Sequence, residues 1–81
     1  MGVITLQDAL QQMGSGEPFD ITFVKADRKR GTGGQIRNER GAVQEGIDHA
    51  NHQRRIKLSS GRIRRVHIRL MTQFNGHNIV Y

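Results

Sequence analysis

The chain has 81 residues, no cysteine, and 13 Lys/Arg against 7 Asp/Glu, for a net charge of +6. That length holds one domain, 1–81, which buries only about 60% of its unfolded surface; the resulting core is small, and a multi-step enzyme is not expected. Disulfides and thiolate ligands are excluded. With no leader-like segment and no apolar run near the ~18 residues of a membrane span, the chain is expected in the cytoplasm of its host cell or in a particle assembled there.

Thr5-Leu6-Gln7-Asp8 opens like a capping box with Asp in place of Glu, and Leu6, Ala9, Leu10 and Met13 follow at helical spacing. The spacing predicts a helix closed by Gly14 at C′. At about nine residues it is too short to persist alone, so its Leu/Met stripe must pack on a sheet. Phe19 to Ala26 then reads as the first strand, with Phe19, Ile21 and Phe23 on one face and Asp20, Thr22 and Val24 on the other.

Next come Arg28, Lys29 and Arg30, leading into Gly31-Thr32-Gly33-Gly34. Cations on pliable backbone suit phosphates, because guanidinium forks and exposed N–H groups can both approach the anion closely. No Lys-Ser/Thr follows the glycines, so this is not a Walker loop, and Gly-Thr-Gly-Gly is not a dinucleotide fingerprint. The segment reads either as a phosphate-contacting loop or as a plain hairpin connection. Ile36 to Val43 reads as a weaker return strand interrupted by Gly41, and Glu45 to Gln53, which shows neither period, as a loop holding at most a helical turn.

The strongest pattern lies in Arg54–Tyr81, a meander of three strands. Ser59-Ser60-Gly61 turns Arg54–Leu58 back onto Arg62–Leu70, and from Val66 to Phe74 every second residue (Val66, Ile68, Leu70, Thr72, Phe74) faces the core. Ile63 has the wrong parity for that face, which a bulge near Arg64-Arg65 would repair. Asn75-Gly76 is a strong type I′ hairpin signal; it sets Phe74 opposite His77, Thr72 opposite Ile79 and Leu70 opposite Tyr81, bringing Ile79 and Tyr81 to the buried face. The expected fold is α+β: one short N-terminal helix packed on a small curved antiparallel sheet of about five strands, approaching a barrel.

The charge is unevenly placed. Residues 1–48 hold six Lys/Arg and seven Asp/Glu, whereas residues 49–81 hold seven Lys/Arg and no acid. If Val66, Ile68 and Leu70 are buried, Arg65, His67 and Arg69 project together from the other face, with Lys57 and Arg62 nearby. A field of one sign attracts polyanions, although a solvated surface carries the same composition. Protonation of His67 would add a pH handle, favoured by bound phosphate. Catalysis is not expected: no acidic pair sits on an assured element and no serine lies in a nucleophile elbow. His49 and His52 have a usable spacing but no further Cys or His at a ligand spacing, so neither a metal nor another cofactor is expected. Phe19, Phe23, Phe74 and Tyr81 all fall on inferred core faces, which leaves no platform for base stacking.

The segments Phe19–Gly34 and Arg64–Gly76 resemble those of short proteins encoded by bacteriophages and integrated mobile elements. The resemblance covers 29 of 81 residues (16 and 13) and brings no catalytic or binding residues to carry over. It implies a phage or mobile-element setting. Two functions are then expected. One is non-specific nucleic-acid binding, DNA before RNA, through phosphate contacts from Arg28, Lys29, Arg30, Lys57, Arg62, Arg65, His67 and Arg69. The alternative is a structural virion component whose basic face meets the genome or an acidic subunit.

Overall fold

The computed structural model describes residues 2–25 and 34–81. In chain order these form β1 (Val3–Thr5), α1 (Leu6–Met13), β2 (Phe19–Lys25), β3 (Gln35–Asp48), β4 (Gln53–Lys57), β5 (Ile63–His67), a 3-10 turn (Ile68–Leu70), β6 (Met71–Phe74) and β7 (His77–Val80). The fold is α+β, with seven strands rather than five, in one open sheet of order β1-β7-β6-β2-β3-β4-β5. The additions are β1, which pairs in parallel with β7, and the division of the expected strand through Val66–Phe74 into β5 and β6.

The helix follows its sequence signals at the start. The Asp8 N–H donates to the Thr5 hydroxyl at 3.1 Å, while Ala9 and Met13 are fully buried and Leu6 and Leu10 pack beside them. Its end differs. Gly14 is the C-cap itself, right-handed at φ −75°, because its N–H still reaches the Leu10 carbonyl; the left-handed residue is Gly16, at φ +88°. The core beneath the helix gathers Phe19, Ile21 and Phe23 of β2 with Ile56, Val66, Met71, Phe74 and Ile79. The rings of Phe19 and Phe74 lie 5.3 Å apart.

β3 is longer than its sequence suggests, and Glu45–Asp48 is strand, not loop. Its first half pairs with β2 and its second with β4. Between them Gly41 sits at φ +69°, and the register shifts between Gln44 and Gly46, leaving Glu45 as an extra residue. Each irregularity resets the alternation of faces, which erases the period that marks a strand. The hairpin of β4 and β5, by contrast, has an unbroken register, so there is no bulge at Arg64-Arg65 and Ile63 remains 49% exposed.

The expected strand from Val66 to Phe74 is cut by the 3-10 turn. The Ile68 N–H donates to the His52 carbonyl at 2.9 Å, and His67 Nδ1 accepts the Arg69 N–H at 3.2 Å. The turn changes the parity: Met71 is buried in place of Thr72, which is exposed. It also dictates the sheet's shape. β5 and β6 stand four places apart in the strand order, about 19 Å in a flat sheet, while three residues of 3-10 turn advance only about 6 Å. The sheet therefore curls until the edge of β5 nears the end of β2, without closing. The last hairpin is as expected at its tip: Asn75 and Gly76 have φ of +50° and +80°, and Phe74 stands opposite His77. Asn75 also docks on β2, accepting the Asp20 N–H through Oδ1 and donating its own N–H to the Asp20 carbonyl, both at 2.8 Å.

Candidate nucleic-acid interface

The register of β4 and β5 sorts the cations. Gln53 stands opposite His67, Arg54 opposite Val66, Arg55 opposite Arg65, Ile56 opposite Arg64 and Lys57 opposite Ile63. Residues directly opposite share a face. Ile56 and Val66, at 0% and 1% exposure, mark the inner face, so Lys57, Arg55, Arg65 and His67 share the outer one. Arg65 and His67 are predicted from parity, and Lys57 is expected nearby. Arg55 is the one missed, although the Ser59-Ser60-Gly61 turn fixes its position opposite Arg65. Arg54 and Arg64 are half-buried beside the core; Arg54 Nη1 donates to the Gln53 carbonyl at 3.2 Å, and Arg64 Nε is enclosed without a hydrogen-bond partner.

Two neighbours shape this face. Gly46 lies under Arg55: a Cβ there would come within 2.7 Å of an Arg55 guanidinium nitrogen, so the missing side chain gives Arg55 room to lie across β3. Asp48, at the end of β3, corrects the impression of a face with no acid nearby. Its carboxylate accepts the Asn51 side-chain amide at 2.8 Å and the Asn51 N–H at 3.3 Å. The side-chain amide above all, then the backbone N–H and the Arg65 charge, hold it below the usual carboxylate range against the opposing effect of desolvation.

Where the curled sheet stops short of closing, a cleft of about 320 Å³ lies between β5 and the end of β2. Lys25, Arg62, Arg64, Arg65 and His67 line it, with Phe23, Val66 and Leu70 among its apolar walls. Arg62 is carried there by the β4–β5 turn, whose Leu58 N–H donates to the Arg62 carbonyl at 2.8 Å. Lys25 and Arg64 were not among the predicted residues, because only the curl brings β2 toward β5.

Other expectations are revised. Arg69 does not continue the row of Arg65 and His67, since the 3-10 turn carries it away toward Tyr81, whose hydroxyl feels its charge. His67 Nδ1 is already engaged, accepting the Arg69 N–H that it caps. Tyr81 is not buried beside Leu70 but 63% exposed, its hydroxyl reaching the carbonyls of Ile68, at 3.0 Å, and Met71. Desolvation of that hydroxyl raises its pKa above the ordinary value, with Arg69 acting the other way. Arg28, Lys29 and Arg30 lie outside the described residues. His49 and His52 belong to the β3–β4 turn, where His52 has φ +53°.

A row of uncharged side chains crosses the outer side of the other half of the sheet, with Asp20 and Arg40 at its border. Asn38, Thr22, Gln73 and Asn78 stand in one row across β3, β2, β6 and β7. Thr22 donates to Asn38 Oδ1 at 2.7 Å and Gln73 Nε2 to Asn78 Oδ1 at 3.1 Å. Among the described residues no helix is long and apolar enough to cross a membrane. No protein-family model matches the sequence, and neither a curated protein nor a solved structure is significantly similar to it.

Proposed function

We propose that the chain binds nucleic acid without sequence preference, through phosphate contacts made by the outer face of β4–β5 and the adjoining cleft. The observation that carries this reading is Arg55 directly opposite Arg65. Like charges facing each other across a strand pair destabilise the sheet. A phosphate placed between or beside them turns the repulsion into two charge-assisted hydrogen bonds. Lys57, Arg62 and Lys25 extend the positive field to either side, with the His67 ring beside them, at strand spacings that meet successive phosphates along a backbone. Phosphate contacts fix position without reading bases, which suits a protein that coats or handles the nucleic acid of a phage or mobile element in the host cytoplasm or inside a particle.

The test is a salt titration. Affinity should fall linearly in log-log form, with a slope of about −3 to −4 for four phosphates on duplex DNA. The double variant Arg55→Ala/Arg65→Ala should lose about two units of that slope and weaken all sequences alike. No binding by the wild type at low salt, or an unchanged slope in the double variant, would defeat the proposal. The virion-subunit reading, with the basic face against an acidic neighbour, would then take its place.

A further inference from the structure

We propose that Tyr81 is a base-stacking platform, flanked by Arg69, that makes single-stranded nucleic acid the preferred ligand of this surface. The inference rests on the phosphate-binding reading above and adds to it the kind of strand that is bound. Its starting point is the reversal at Tyr81, which alternation places in the core and the structure leaves 63% exposed. An exposed aromatic side chain is ordinarily free to swing. This one is tied at both ends: its backbone follows Val80, which pairs with Thr5 of β1, and its hydroxyl is within reach of the Ile68 and Met71 carbonyls. With the residue 63% exposed and its hydroxyl held, the ring lies at the surface in a set position. A ring fixed in position with its flank in water can stack a base while losing little further freedom.

Arg69 supplies the matching charge, since it sits on the turn that Tyr81 touches and its field acts on the Tyr81 hydroxyl. The same turn borders the cationic cleft through Leu70. Three residues of 3-10 turn advance only about 6 Å, so a phosphate at the cleft and a base on Tyr81 belong to one short stretch of strand. In a duplex the base faces are covered by their neighbours; only an unpaired strand can offer one to the ring. The partner is thus a single strand held by phosphates along β5 and by a stacked base at Tyr81.

The chain contains one tyrosine and no tryptophan, so its intrinsic emission reports Tyr81 alone. Labelled oligo(dT) and a duplex of equal length are titrated with the full chain, following anisotropy for binding and tyrosine emission for stacking. Oligo(dT) should bind more tightly than the duplex and quench Tyr81. Tyr81→Ala should weaken oligo(dT) binding at least about 5-fold and leave duplex binding unchanged. Tyr81→Leu, which keeps apolar bulk without a π-face, should behave like alanine, and Tyr81→Phe should retain most of the affinity. Circular dichroism spectra of all three variants at the binding temperature, expected to match the wild type, exclude unfolding as the cause. Binding of both ligands without quenching, or oligo(dT) affinity unmoved in Tyr81→Ala, overturns the stacking site while the phosphate reading stands. Binding of neither ligand defeats the phosphate reading itself, and this inference with it.

Discussion

The two halves of the sheet use their outer faces in opposite ways. Across β3, β2, β6 and β7, outward side chains serve one another: Thr22 donates to Asn38 and Gln73 to Asn78, neutral groups satisfied within the molecule. Across β4 and β5 the outward residues include Arg55 opposite Arg65, which repel, with Asp48 the acid whose field meets Arg65. Both halves cover apolar cores, so burial does not account for the difference. The first face is built for stability, and the second gives up some stability to hold positive charge in one place.

The contrast can be broken most forcefully from the stable half. Phe74→Ala removes a ring at 1% exposure that packs on Phe19, and should cost about 3–5 kcal/mol in a denaturant or thermal melt. Next is Gly76→Val, which forces a β-branched residue to φ +80° in the hairpin that docks on Asp20; a loss of about 1–3 kcal/mol is expected. An unchanged melting temperature would remove the assigned turn. The cationic half should respond with the opposite sign. Arg65→Thr relieves the pair with Arg55 and puts a good strand former on β5, so the protein should gain about 0.2–1 kcal/mol while its polyanion affinity falls. A variant that loses both stability and affinity would show Arg65 to be structural.

The smallest effect concerns Asp48. Its pKa is lowered in the folded protein, so its contribution to stability is full above the ordinary carboxylate value of about 3.9 and disappears as pH falls through the lower folded value. Asp48→Asn should flatten the acid limb of stability in that window only. At neutral pH the same variant frees Arg65 from a competing carboxylate and should tighten DNA binding slightly; weaker binding would place Asp48 on the side of positioning Arg65 rather than masking it.

The start of the helix and the tip of the last hairpin are legible in the sequence because their causes are local. The Thr5 cap satisfies a donor three residues away, and Asn75-Gly76 adopts the positive φ pair that its chemistry favours. The features that were misread have distant causes. The turn at Ile68–Leu70 is held by the His52 carbonyl, and the bend of β3 serves a change of partner from β2 to β4. The same holds for the site. Lys57, Arg65 and His67 share a face by alternation, which is visible in one dimension, whereas Arg69 was lost to the 3-10 turn. Lys25 and Arg64 joined through a curl that no single stretch encodes, and Tyr81 was placed inside because alternation was carried past the point where the turn resets it.

The parallel pairing of β1 with β7 bears on how the molecule assembles. Ile4 meets Ile79, a separation of 75 residues (79 minus 4), and the Asn78 N–H donates to the Gly2 carbonyl at 3.1 Å. Contacts this distant in sequence carry the largest loop-closure cost and form late. During synthesis β2 to β5 emerge before β6 and β7 and can pair among themselves, while α1, directly joined to β1, has no completed sheet on which to dock. The Leu/Met stripe of the helix thus lacks its sheet until β7 is in place, and β1 and α1 dock late although they precede every strand they dock on.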